Sequence, residues 1–300
     1  MTLSRKRENF QRAVSVTVIS LISFVGLETL VYINNLYQVG TYVLYSVYIY
    51  FFLIIWLHFI FDLHFKESHI DLKDFWRSLR YRFKHLLVWE NFRHFQNYLI
   101  LPGLIYWGSI ILIGLNFRHE RLQHFIAIVS SLTLVVVYSL FKEIFKTKRT
   151  PVHNNHFVIL THAKLYASWL IYSGVLGLTW YYCLAPNLFY TAVFLITFML
   201  LYQACFQFSA LNAKNLTYVF LISIALVVAS FFVYKFWNVN YFTAGLLMTA
   251  VYNFLWWMLF HSVKKSFSPE VVLEQLAILA LILIMVFGVT NFNARIDRCF

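Results

Sequence analysis

The chain has 300 residues, of which 61% are hydrophobic, 20% aromatic and only 12% charged. A composition so poor in charge excludes a soluble globular surface and points to lipid as the main solvent. The net charge of +12 is explained by membrane topology, because its cations are distributed by gap between apolar runs, so no nucleic-acid partner is implied.

Apolar runs long enough to cross a hydrocarbon core as helix follow one another along the chain. They predict spans at about Ala13 to Ile33, Tyr42 to Phe61, Tyr98 to Phe117, Phe125 to Phe145 and Phe157 to Leu184. Four more follow at Leu188 to Phe208, Leu216 to Phe236, Phe242 to Phe260 and Val271 to Phe292. The expected fold class is therefore an all-α, polytopic integral membrane bundle of about nine transmembrane helices. A single transmembrane domain covers 1-300, since no repeat, low-complexity tract or flexible linker divides it. The first span is too long for a signal-peptide core and lacks a small-x-small cleavage site, so it is expected to remain as an anchor.

Of the 24 Lys and Arg, only Arg118, Arg121, Lys235, Arg295 and Arg298 fall in one set of alternate gaps, and Lys164 lies inside a span. All the others fall in the opposite set. Retention of cationic loops on the cytoplasmic side predicts the N-terminus inside and the C-terminus outside. A bacterial cytoplasmic membrane is the simplest setting for such a chain.

The long connection from Asp62 to Asn97 carries Phe75, Trp76, Leu79, Phe83, Leu86 and Leu87 at helical spacing, with Arg77, Arg80, Lys84 and His85 on the other side. This pattern predicts a basic amphipathic helix at about 73-95, lying among the headgroups and acyl chains of membrane lipids, its first partners. It acts there as a surface float or as a lid for an apolar small-molecule substrate. Ser268, Pro269 and Glu270 supply an N-cap, an N1 proline and a first-turn acid, and so mark the start of the last span.

With 9 Gly and 4 Pro in the chain, broken helices of the alternating-access kind are disfavoured, and packing is expected to rest on Phe, Tyr, Leu and Ile instead of Gly-rich seams. Cys183, Cys205 and Cys299 are scattered, which suggests neither a disulfide framework nor a thiolate zinc site. Asn215-Leu-Thr matches a glycosylation sequon but falls on the cytoplasmic side, so it is read as a chance occurrence.

Once the topology is drawn, the histidines gather. Of 11, only His119 and His124 fall outside; His58, His94, His153, His156, His162 and His261 lie at the inner ends of spans. Asp62, Glu143 and Glu274 are the neighbouring acids, and His58 and Asp62 are four residues apart, on one helical face. Imidazoles and carboxylates brought to one depth from several helices are the ligand set of an iron or zinc centre with an open position. The candidate metal ligands are His58, Asp62, His156, His162 and His261. Glu143, Lys164 and Glu274 are the candidate catalytic residues.

Two segments resemble the Brp/Blh family of membrane carotenoid-cleaving dioxygenases. His58-Phe59-Ile60-Phe61-Asp62 is similar to a His-Phe segment closed by Asp, and His261-Ser262-Val263-Lys264-Lys265 to a His-Ser followed by basic residues. The resemblance implies a multi-helix membrane protein with histidine-bound iron and passes a ligand role to His58 and His261. The family's Pro-His-Gly segment has no counterpart, and Ser266-Phe267-Ser268 lacks its second histidine.

Two ionisable groups inside spans complete the reading. Glu28 lies near the outer end of the first. Lys164 lies about two turns inside the fifth, where its stem is expected to snorkel toward the inner interface. Two functions follow: a metal-dependent, oxygenase-like enzyme acting on a lipid or other apolar substrate, or a transporter or channel that uses the intramembrane charges. A non-catalytic assembly protein is the third.

Overall fold

The computed structural model describes residues 3–54, 80, 89–147, 154–208, 210–237 and 239–290. Every regular element among them is helical: α1 Leu3–Leu36, α2 Val39–Tyr50, α3 Trp89–Leu115, α4 Glu120–Thr147, α5 Asn154–Tyr181, α6 Pro186–Gln207, α7 Ala213–Phe236, α8 Tyr241–Val263 and α9 Pro269–Val289. The all-α expectation holds, and each run read from the sequence has a helix on it. Six segments are long and apolar enough to cross a membrane: Val16–Leu36, Glu120–Phe141, Pro186–Gln207, Ala213–Phe236, Tyr241–Val263 and Pro269–Val289. By length and composition this is a multi-pass membrane protein.

The helix ends follow from local chemistry. Ser268 Oγ accepts from the Val271 amide, with Pro269 at N1 and Glu270 in the first turn, as the sequence predicts. Asn212 Oδ1 caps α7 through the Asn215 amide at 2.7 Å, and Asn215 Nδ2 donates to Ala210 O at 2.7 Å. The sequon asparagine is thus a buried loop clamp. At the end of α8, Lys265 takes φ 55°. The Ser266 amide then reaches His261 O and the Lys265 amide reaches Ser262 O, which satisfies the last carbonyls in a Schellman turn.

The described helices cluster into two compact units. The first comprises residues 1–106 and 116–149, the second 107–115 and 150–300. In the first, α1 packs on α4 and α2. Tyr106 donates to Ser46 O at 2.7 Å and its ring lies 5.5 Å from that of Tyr50. His124 Nδ1 meets Glu28 Oε2 at 2.6 Å and so joins α4 to α1. α2 widens into a π-helical turn over residues 51–54.

In the second unit α8 is central, packed on α5, α7 and α9, while α6 packs on both α5 and α7. Glycine decides how closely these helices approach. A Cβ on Gly245 would overlap Ser173 Oγ and stand 2.8 Å from Ser173 Cα. On Gly108 it would stand 2.7 Å from Leu170 Cβ, and on Gly177 2.5 Å from Leu115 Cδ1. The expectation that packing rests on Phe, Tyr, Leu and Ile instead of glycine seams is corrected at these crossings. Few glycines suffice, because Gly108 and Gly245 stand where two helix backbones meet.

Candidate functional site

α5 carries Thr161, Lys164, Ser168 and Tyr172 along one stripe at helical spacing, and each is buried. Lys164 lies ten residues into a helix of 28, about 5 Å from its midpoint at about 1.5 Å per residue. Its side chain turns inward. It is 3% exposed, and Nζ donates to Gln207 Oε1 on α6 at 2.6 Å. The snorkelling expected from the sequence is overturned, because the stem points along the buried stripe and a neutral amide waits at hydrogen-bond distance.

The other contacts of this ammonium are soft. The Trp256 ring centroid is 6.0 Å from Nζ, the outer limit of a cation–π contact. Cys205, free and buried, lies within electrostatic reach. No carboxylate among the described residues pairs with it. A lone ammonium is costly in a helix interior, and such residues are retained where they serve a ligand, an ion or a proton.

The polar residues around Lys164 continue as a column. Ser168 Oγ donates to Thr249 Oγ1 on α8 at 3.3 Å, and Tyr172 OH pairs with Thr197 Oγ1 on α6 at 2.8 Å. The α6 partners, Thr197 and Gln207, share one buried stripe. On α8, Thr249, Tyr252 and Trp256 share one face, so Tyr252 stands between the residue that meets Ser168 and the one beside Lys164. Tyr252 OH and Thr161 Oγ1 are buried and have no hydrogen-bond partner among the described residues. From Lys164 to Tyr172 the column spans eight residues, about 12 Å of rise.

Beyond Lys164, toward the start of α5, aromatic rings fill the interior. Phe157 lies 4.5 Å from Phe208, 5.0 Å from Phe260 and 6.4 Å from Trp256, between ring centroids. Their close, mixed edge and face packing makes a plug at the end of the column.

Of the residues expected to ligate a metal, only His156, His162 and His261 lie among the described residues. His58 and Asp62 lie outside the described residues, as do His153 and most of the proposed amphipathic helix; its last residues, 89–95, are the first turns of α3. The side chain of Glu143, on α4, lies outside them too. His162 is exposed, its Nδ1 within 2.8 Å of Val158 O in its own helix. His261 Nδ1 meets Ser266 Oγ at 2.9 Å, inside the turn that ends α8. His156 is half-buried, and Glu274 is exposed on α9. Among the described residues, no three His, Cys, Asp or Glu side chains converge as a metal group. The described donors alone therefore do not make an iron or zinc cage.

Two pairings escaped the sequence reading. Glu28 and His124 are 96 residues apart, and His124 was read only as an outer-face histidine. Cys183 is disulfide-bonded, which corrects the reading of three separate cysteines; scattered spacing does not show which loops meet in space. Comparisons of the chain with family models, with curated proteins and with solved structures give no match.

Proposed function

We propose that the protein is a membrane transport protein that passes a small solute through its second unit, with Lys164 as the binding centre. The topology that goes with this reading is nine crossings with the N-terminus inside, in a bacterial cytoplasmic membrane. The observation that carries it is the inward-turned ammonium of Lys164, held by a neutral amide in a column of hydroxyl and amide side chains. Hydrocarbon-facing helices have no use for such a column, whereas a solute leaving water needs polar groups to replace its hydration.

Histidine-centred catalysis draws less support, because His162 and His261 are both taken up by bonds within their own helix or turn. The test is solute entry into liposomes containing the purified full-length protein. Small charged and neutral solutes are offered in turn, with Lys164→Gln alongside the wild type. Entry of at least one solute above empty liposomes, reduced in the variant, supports transport. Equal entry with and without protein for every solute rejects it.

A further inference from the structure

Resting on the transport reading, we infer that the solute is a small monovalent anion, bound between the Lys164 ammonium and the hydroxyls of the α5–α8 column. Charge gives the sign. When protonated, Lys164 is the one cation among the described residues of the column, and no described carboxylate neutralises it. An anion that enters restores neutrality, whereas a cation meets like charge in a medium of low dielectric.

The neighbours supply the remaining ligands. An anion without its water needs hydrogen-bond donors, and Tyr252 OH and Thr161 Oγ1 are buried donors with no partner among the described residues. Ser168 and Thr249 continue the hydroxyl series one turn further along α5. A single ammonium balances one negative charge, which argues against a divalent ion such as sulfate.

Size follows from how closely the helices stand. Ser168 and Thr249 are in contact across α5 and α8, and Gly245 lies directly on the backbone of Ser173. Helices held this near would have to part to admit a sugar or an acyl chain, which favours an ion of few atoms. The plug of Phe157, Phe208, Phe260 and Trp256 sits at one end.

The test uses salt entry into proteoliposomes made permeable to potassium by valinomycin, followed by light scattering. Potassium chloride, nitrate, formate and sulfate are offered separately, with glycerol as the neutral solute. The inference expects chloride, nitrate and formate to enter well above empty liposomes and sulfate to stay out. Lys164→Gln lowers anion entry by about tenfold or more, as loss of one charged contact implies, while Lys164→Arg retains part of it.

A second measurement needs no variant: nitrate raises the thermal midpoint of the wild type saturably, and sulfate at matched ionic strength does not. Sulfate entering as fast as chloride overturns the assignment, as does anion entry unchanged in a folded Lys164→Gln protein. If glycerol passes and the anions do not, transport stands and the anion assignment falls. If nothing passes, both fall. If nitrate stabilises the protein saturably yet no solute crosses, the anion site stands and transport falls.

Discussion

Gly245→Ala and Gly288→Ala make the same chemical change in two membrane-spanning helices and should move stability in opposite directions. At Gly288 on α9 the added methyl meets nothing within 4 Å, so only the helix propensity remains, a gain of about 0.5–1 kcal/mol. At Gly245 the methyl would overlap Ser173 Oγ and lie 2.7 Å from the Ser173 amide nitrogen and 2.8 Å from its Cα. Ordinary contact distances are about 3.5–4.0 Å between carbons, so α5 and α8 must part by roughly 1 Å. A gap of that size forfeits a quarter to a half of each contact energy along the seam, and overpacking a close crossing costs about 1–3 kcal/mol. The Ser168–Thr249 bond, already 3.3 Å, lengthens too. The net expectation is a loss of about 2 kcal/mol against a gain below 1, or a midpoint several degrees lower for Gly245→Ala and slightly higher for Gly288→Ala. Thermal unfolding of the two purified variants in one detergent, read by tryptophan fluorescence, checks the sign. A Gly245→Ala protein as stable as the wild type would refute the close α5–α8 approach on which the column depends.

Lys164→Met removes a buried ammonium that costs about 2.5–3.5 kcal/mol at a helix centre and forfeits one charged hydrogen bond of about 1.5–3 kcal/mol. The variant should therefore match or slightly exceed wild-type stability while losing solute entry; a fall of several degrees in midpoint would make Lys164 a structural residue instead. In the first unit, Glu28 is 22% exposed and His124 43%, so solvent screens their bond. A double-mutant cycle of Glu28→Gln and His124→Gln should give a coupling of about 0.5–1 kcal/mol, and a coupling of zero would remove the α1–α4 tie. Cys183 is bonded and Cys205 free, so denaturation in maleimide without reductant should label Cys205 and spare Cys183, which is labelled only after reduction. Labelling of Cys183 before reduction would show that the disulfide does not form.

Helix positions were legible because each depends on a local property. Apolar runs placed every described helix, and Ser268-Pro269-Glu270 placed the start of α9 to the residue. What the sequence withheld depends on which way a side chain faces. Lys164 has the same depth whether it snorkels or turns inward, and only the position of Gln207, 43 residues away, decides between them. Tyr252, Thr161 and Ser168 were invisible for a related reason, since single hydroxyls are common in membrane helices and become a column only when three helices align them. Gly245 looks like any helical glycine until Ser173 is found against it. Depth in the membrane alone does not say which way a histidine faces: among the described ones, His162 faces outward and His261 is held in a helix-ending turn.

Entry of potassium nitrate into valinomycin-treated proteoliposomes, wild type against Lys164→Gln, with folding of both confirmed, goes straight to the role of the buried ammonium. Rapid entry with wild type and near-background entry with the variant is the predicted result. Equal rates for the two folded proteins would contradict it and return Lys164 to the status of a buried residue without a solute.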